Sequence, residues 1–310
     1  MAKKKRVYSG IGGQAVLEGI MMKNKDIYAV AVRKPDGEIV VDTQEFAGVL
    51  HGNVFTKIPF VRGIFNFVDS LSLGLKSLNY SASFYDEEDD KKNSKKMEKF
   101  LSALAVILAI ALCVGLFILL PYYLSSLFSH IIRNESLVNI IEGLIRIVIF
   151  LLYVILISLM KDIKRTYQYH GAEHKCINCI ERGRELTVDN VRRSSRLHKR
   201  CGTSFLLFVM LVSIVLFFFI RVESPVYRII LRIALIPVVA GISYELIRLA
   251  GRFDNVITKI LSAPGFLLQK ITTREPDPDM IEVAIKAVET VFDWKEFLKT
   301  NFDYDVDSAS

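Results

Sequence analysis

Residues 170–174 read His-Gly-Ala-Glu-His and bring together three side chains that can serve metal-dependent chemistry. On a helix, His170 and His174 lie one turn apart on the same face, so both imidazoles can reach one ion. Glu173 lies beside that face, where its carboxylate can act as a general base toward water. The pattern therefore predicts two histidine ligands and one catalytic glutamate.

Two further ligand types, His198 and Cys201, stand at the far end of the same hydrophilic connection. Because the apolar segments that flank this connection should be antiparallel neighbours, its two ends are expected to meet. A site of His170, His174 and either His198 or Cys201, with one open position, fits catalytic zinc, whereas four closed ligands fit a structural site. The order H-x-x-E-H also occurs in zinc peptidases. The predicted cofactor is a divalent transition metal, with zinc preferred.

Two other cysteines, Cys176 and Cys179, follow the histidines directly. If the helix continues at about 100° per residue, they turn away from the histidine face. The sequence favours two small residues at a helix end over a zinc knuckle. All the cysteines of this connection are expected to be free thiols or metal ligands in a reducing compartment rather than disulfides.

Four more polar residues are candidates for supporting roles. Gln14 and Glu18 lie in the glycine-rich stretch GIGGQAVLEGIMM (10–22), whose glycines allow close packing against the metal-site connection. This stretch lacks the strand and helix context of a dinucleotide site. Glu245 and Arg248 are three residues apart near the end of an apolar segment. They are expected to pair with each other, with an approach of Glu245 to the metal site as the alternative.

The elements that must position these residues are mainly membrane helices. The chain has 310 residues, of which 52% are hydrophobic, and its mean hydropathy is +0.35. Four apolar segments approach or exceed the roughly 20 residues that a span needs. They cover residues 100–128, 138–160, 201–220 and 227–250. The predicted fold is mainly α and integral to the membrane, with about four transmembrane helices, a small N-terminal β-hairpin and a C-terminal amphipathic helix.

Charge predicts how these helices are oriented. Eleven Lys and Arg residues lie in the connection 161–200. The positive-inside rule therefore places that connection and both termini in the cytoplasm of a multi-pass protein of the cell membrane. The net charge of +7 favours contact with the lipid bilayer and its anionic headgroups over nucleic acid. A protein partner and a homo-oligomer both stay open.

The same reading divides the chain into four regions. The N-terminal region holds the hairpin, with strands at 27–33 and 38–46 around the turn Pro35-Asp36-Gly37. An interfacial or re-entrant segment and a charged linker come next, followed by the membrane domain and a cytoplasmic C-terminal region whose amphipathic helix covers 279–299. The boundaries of these regions are 1–46, 47–98, 99–250 and 251–310.

Three stretches together carry a family resemblance: GGQAVLEGIMM (12–22), YHGAEHK (169–175) and RCGTSF (200–205). In this order they resemble the YqhQ-like family of bacterial membrane proteins, a domain of unknown function labelled a predicted metal-dependent enzyme. The resemblance covers most of the chain and includes the four-span layout. It implies a metal at His170, His174, His198 and Cys201 with Glu173 nearby, and it names no substrate.

Three functions follow as hypotheses. The first is a membrane hydrolase, zinc-dependent, acting at the cytoplasmic face on a peptide or on a lipid-linked amide or ester. The second is a non-enzymatic assembly factor or scaffold, in which the metal is structural. The third, a transporter that uses Glu142, Arg146, Glu245 and Arg248, is disfavoured because the sequence has no recognisable inverted repeat.

Overall fold

A four-stranded sheet lies at the N-terminus, and two residues form each of its first two turns. The computed structural model describes residues 6–46, 48, 58–85, 95–129, 131–219, 222, 224–252 and 255–302. Its strands are β1 (Gly12–Val16), β2 (Gly19–Asn24), β3 (Ile27–Arg33) and β4 (Ile39–Glu45), paired antiparallel in that order. The predicted hairpin is present as β3 and β4. The prediction was incomplete, because the glycine-rich stretch before it forms β1 and β2.

One face of this sheet is covered by two helices that are far apart in the sequence. Helix α5 (Lys161–Ile180) and helix α11 (Pro278–Val291) pack on it, and the short helices α6 (Val188–Arg192) and α12 (Trp294–Phe302) complete the layer. Their shared core includes Ile20, Ala31, Tyr169, Ile177 and Ile281, each at most 1% exposed. We call this unit the sheet lobe; it comprises the described residues of 6–46, 161–200 and 274–302.

Two predicted segments take a different form in the sheet lobe. The first half of the connection 161–200 is helix α5, which is buried from Gly171 to Ile180, rather than a loop. The amphipathic helix expected over 279–299 is two helices, α11 and α12, and the apolar face of α11 is buried in the core. Burial follows because Met280, Val283, Ala284, Ala287 and Val288 recur at helical spacing and face the sheet.

The other face of the sheet is covered by α1 (Val61–Ala82). Its buried Leu73 packs against Val16, Met21 and Val30 of the sheet. Its first half contacts a later helix instead, while Val68, Leu71 and Leu75 are exposed. The segment predicted as interfacial or re-entrant, 46–80, is therefore helical from residue 61 onward, and its part at 49–57 lies outside the described residues.

Apolar helices make up most of the other described residues. They are α2 (Lys95–Val114), a π-helical turn (Gly115–Leu119), α3 (Leu120–Ser129), α4 (Glu135–Ile157), α7 (Gly202–Phe218), α8 (Pro225–Ala234), α9 (Ile236–Arg252) and α10 (Val256–Thr272). Two stretches, Ala103–Phe128 and Ser136–Ile157, are long and apolar enough to cross a membrane. The apolar α7 is shorter, and the predicted fourth span is divided at Leu235. There Pro237 offers no N–H to the carbonyl of Ile233.

Replacing Ile281 by Ala should lower the free energy of unfolding by about 2–5 kcal/mol, because Ile281 is fully buried between α5 and the sheet. Denaturant unfolding of the detergent-solubilised protein can be followed by Trp294, the one tryptophan, which lies in the same core. Lys286→Ala on the exposed side of α11 is the control and should change the free energy by less than about 0.5 kcal/mol. Equal losses in both variants would contradict this packing.

Candidate metal centre

Helix α5 carries the H-x-x-E-H motif in the middle of the protein. From Gly171 to Ile180 every residue is buried, so the polar side chains of this stretch need partners within the fold. Gly171 lets the chain after α10 approach closely, since a Cβ at this position would lie 2.0 Å from the carbonyl oxygen of Arg274. The backbone N–H of Arg274 donates to the carbonyl of Tyr167 at 2.9 Å. A glycine in mid-helix therefore joins α5 to the end of α10.

The structure brings three of the predicted ligands together. The ligand atoms of His170, His174 and Cys201 all lie within 4.8 Å of one another. Nε2 of His170 is 3.1 Å from Sγ of Cys201, and the two imidazole centroids are 4.4 Å apart. Ligand atoms around one tetrahedral zinc ion stand about 3.5 Å apart, so small side-chain adjustments would suffice for a shared ion. Cys201 reaches the group because it caps the N-terminus of α7.

Backbone carbonyls fix the tautomer of both histidines. Nδ1 of His170 is 2.8 Å from the carbonyl oxygen of Thr272, and Nδ1 of His174 is 2.6 Å from that of Arg196. A carbonyl can only accept, so each Nδ1 carries a proton and donates it. Each Nε2 consequently points its lone pair, or an exchangeable proton, into the group. In metal proteins, a hydrogen bond from the other ring nitrogen to a carbonyl orients a histidine ligand in this way.

Glu173 stands beside the three ligands and is 4% exposed. One carboxylate oxygen lies 3.9 Å from Nε2 of His170 and 3.7 Å from Nε2 of His174. Burial raises the pKa of Glu173, and the two histidines and a hydrogen bond from the backbone N–H of Gly13 only partly oppose it. A carboxyl group with a raised pKa suits general base or acid chemistry near neutral pH.

The pKa of His170 is raised because Cys201 and Glu173 favour its protonated form. Burial by itself lowers the pKa of His170, but the Cys201 sulfur, Glu173 and the Thr272 carbonyl outweigh burial and raise it to about 9. Ligands of a metal ion must lose such protons, so binding of a cation here would release a proton.

His198 lies next to the group but faces another partner. Its ring is 5.6 Å from that of His174, and its Nε2 is 3.5 Å from a carboxylate oxygen of Glu181. Gln269 holds the backbone of His198 from both sides, accepting from its N–H and donating to its carbonyl. Burial above all lowers the pKa of His198 to about 4, so the ring is neutral at pH 7. Of the two alternatives for the third ligand, the geometry favours Cys201.

Glu181 is the centre of a charge cluster behind the site and is fully buried. It accepts hydrogen bonds from Arg6, Arg200 and Ser9 at 2.6–3.1 Å. Burial alone raises the pKa of Glu181, but the adjacent His198, Arg6 and Arg200 outweigh it and hold the pKa at about 2. Through Glu181, the cluster connects Arg6 and Ser9 of the N-terminal segment to Arg200, the residue before Cys201.

Of the predicted supporting residues, Glu18 contacts α5, whereas Gln14 and Glu245 contact α1. Glu18 pairs with Arg165 and accepts from the hydroxyl of Tyr169, both on α5. Gln14 donates to the carbonyl of Ser70 in α1 at 3.2 Å. Glu245 forms its ion pair with Arg62 of α1, so the favoured Glu245–Arg248 pair is replaced by a contact between helices. Among the described residues, Arg248 has no ion pair.

Cys176 and Cys179 face the core of the sheet lobe and do not join the metal-ligand group. Both are fully buried, and burial is the main cause that raises the pKa of each thiol. They pack as small apolar residues, as the helical rotation indicates.

Several residues that shape the site escape sequence reasoning. Gly13 supplies the N–H to Glu173, the carbonyls of Arg196 and Thr272 orient the histidines, and Thr203 Oγ1 lies 3.1 Å from Cys201 Sγ. Backbone groups carry no sequence signal. The paired glycines at 12–13 were the one available hint, since they indicate a close backbone approach.

Comparison with known proteins places this chain in a family. The family described as "Protein of unknown function (DUF1385)" matches residues 58–294, and the chain belongs to it. A relative from Bacillus subtilis (strain 168), "Uncharacterized protein YqhQ", is 38% identical over 295 residues, which is 92% of each chain. This confirms the YqhQ-like resemblance, while neither name refers to a metal or a reaction. No solved structure matches the chain.

Gly171→Ala should weaken metal binding by about 10–100-fold, the usual effect of disturbing a histidine's outer partner. The new Cβ would collide with the Arg274 carbonyl, and the displaced segment would carry the Thr272 carbonyl away from His170. Competition with a chromophoric chelator measures the affinity. Gly202→Ala is the control, because a Cβ there meets nothing within 4 Å although it adjoins Cys201. Equal affinity in both variants would contradict this role for Gly171.

Glu181→Gln should destabilise the sheet lobe by about 3–5 kcal/mol, because two arginines would lose their buried anionic partner. The pKa of Glu181 is lowered on folding, so its contribution is present above the unfolded value near 4.5 and is lost as pH falls toward about 2. Denaturant unfolding at pH 7 and at pH 3.5 checks this: the gap between wild type and variant should shrink at the lower pH. Exposed Glu296→Gln serves as control, and a pH-independent gap would refute the assignment.

Proposed function

We propose that this protein is a metal-dependent hydrolase of the membrane, in which His170, His174 and Cys201 bind a zinc ion and Glu173 is the general base. The observation that carries the proposal is the convergence of two oriented imidazoles and one thiol from α5 and the start of α7. Two nitrogens and one sulfur form a donor set that zinc prefers. Three protein ligands leave a position for a substrate or water, as in catalytic zinc sites.

The bound metal and Glu173 would have different roles in hydrolysis. Zinc, when bound, supplies Lewis acidity and lowers the pKa of water. Glu173 is positioned by the Gly13 N–H and by its neighbours on α5 to take a proton from the attacking water and return it to the leaving group. Burial keeps bulk water from the carboxylate and strengthens its interaction with the histidines. The proposed substrate class is a peptide or a lipid-linked amide or ester.

The proposed setting is the cytoplasmic face of a four-span membrane protein. In addition to the two long apolar helices, α7 and the pair α8–α9 would complete the spans, although both are short or interrupted. The basic residues of 161–200 support a cytoplasmic sheet lobe and contact with anionic headgroups. Cys201 is the N-cap residue directly before α7, so the site would lie at the level where this helix enters the bilayer.

A structural metal in a non-enzymatic scaffold is the second candidate, and one observation favours it. His174 and Cys201 are 1% and 4% exposed, which is the burial of a closed site. The side chain of His170 is 13% exposed, and this exposure favours an exchangeable coordination position next to it. A transporter is the third and weakest candidate.

Elemental analysis of the purified protein tests the metal directly. Wild type should contain about one transition metal ion per chain, and His174→Ala and Cys201→Ser should contain little, because each removes one of three ligands. His198→Ala should keep the metal, since its Nε2 faces Glu181. If wild type purified without chelators contains no metal, the proposal is wrong. If His198→Ala loses the metal, His198 rather than Cys201 is the third ligand.

Two further measurements separate the catalytic from the structural candidate. Glu173→Gln should retain the metal, because Glu173 is outside the ligand group, and should lose any hydrolysis found with lipid-linked ester substrates. In the cobalt-substituted protein, azide should alter the visible spectrum if one coordination position exchanges. A spectrum that azide leaves unchanged would favour the structural site.

A further inference from the structure

Three charged side chains meet inside the apolar helices, away from the candidate metal centre. Glu142 and Arg146 lie on α4 and Arg232 lies on α8. Arg232 binds Glu142 in a two-pronged ion pair, with Nη1 on one carboxylate oxygen and Nη2 on the other at 2.8 Å. Nη2 of Arg146 donates to the first of these oxygens at 2.8 Å. Glu142 is 2% exposed, so its hydrogen-bonding capacity is used within the protein.

The cluster contains two guanidinium groups and a single carboxylate. Because Arg232 occupies both oxygens, Arg146 shares one of them and otherwise has a long contact of 3.4 Å with the Ser213 hydroxyl. The side chain of Arg146 is 11% exposed, and its buried Nε has no hydrogen-bond partner among the described residues. The cluster therefore keeps one net positive charge, which is costly at membrane depth.

Apart from Glu142, no acidic residue of α4 lies near Arg146 in the sequence. Arg146 lies near the middle of Ser136–Ile157, one of the two stretches able to cross a membrane. The next acidic residue along α4, Glu135, is eleven residues away. At 1.5 Å per residue this is about 16 Å along the axis, beyond the reach of an ion pair.

The cluster lies beside an interruption between two apolar helices. Arg232 is in the last turn of α8, directly before the interruption at Leu235 that divides α8 from α9. Interrupted helices at mid-membrane are where transport proteins place ion and substrate sites. The ring of Phe217 lies 5.1 Å from the Arg232 guanidinium and 5.9 Å from that of Arg146, so it forms one wall of the cluster.

We propose that Arg146, held in place by Glu142 and Arg232, binds a phosphate-type oxyanion within the helical part of the protein. The guanidinium fork matches the oxygens of such an anion, and the two arginines share one carboxylate, so the cluster has a positive charge left to attract it. The mid-helix position favours a free anion over the headgroup of a phospholipid, whose phosphate lies at the membrane surface. This site is independent of the metal and of the hydrolase proposal.

Thermal unfolding in two settings tests the site and the source of the anion. In detergent, inorganic phosphate should raise the melting temperature of wild type saturably, compared with sodium chloride at equal ionic strength. In Arg146→Gln the half-saturating concentration should rise at least tenfold. In nanodiscs, a free anion predicts the same phosphate response with phosphatidylcholine and with phosphatidylglycerol. A headgroup as ligand predicts stabilisation by phosphatidylglycerol alone, with no further effect of phosphate.

Two variants keep the test decisive. Arg133→Gln removes an exposed arginine two residues before the start of α4 and should respond like wild type. Arg146→Lys retains the charge but lacks Nε and the fork; it is the variant to use if Arg146→Gln does not fold, and it should bind phosphate several-fold more weakly. The proposal is wrong if neither phosphate nor phosphatidylglycerol stabilises wild type, or if the Arg146 variants respond as wild type does.

Discussion

The fold depends on one constraint: the histidine face of α5 is buried, and every polar group on it must find a partner inside the protein. The partners come from three distant parts of the chain. Thr272 at the end of α10 and Arg196 before α7 accept from the two histidines, and Gly13 of β1 donates to Glu173. Leaving such groups unpaired would cost about 1–3 kcal/mol each. The same hydrogen bonds that satisfy the helix therefore join the sheet lobe to the apolar helices.

Glycines make these long-range contacts sterically feasible. At Gly171 a side chain would meet the Arg274 carbonyl, and at Gly13 it would meet Glu173 and the Met21 carbonyl. At both glycines the backbone lies directly against a carbonyl group, and at Gly13 also against the Glu173 side chain. The site therefore has little freedom to rearrange. A preorganised site suits either a catalytic or a structural ion, because rigid ligands lose little conformational entropy on binding.

The sequence identified the ligand types and the helix that carries them, since H-x-x-E-H at helical spacing is a local pattern. It left His198 and Cys201 open as the third ligand, because both lie at the same end of the connection. Gln269 and Glu181, 71 and 17 residues from His198, orient it away from the group, and no local pattern encodes such partners. Strands β1 and β2 were not predicted because their turn is Leu17-Glu18. Glu18 has φ +48°, where glycine or asparagine would be expected.

The position of His170 limits how anything could approach the candidate metal centre. Of the three candidate ligands, His170 has the most exposed side chain, while His174 and Cys201 are buried. Beside His170 lie Thr203, in the first turn of α7, and Thr272, in the last turn of α10. An exchangeable coordination position would thus open toward the junction of the lobe with the apolar helices. A substrate with an apolar portion could reach it there without crossing the core of the sheet lobe.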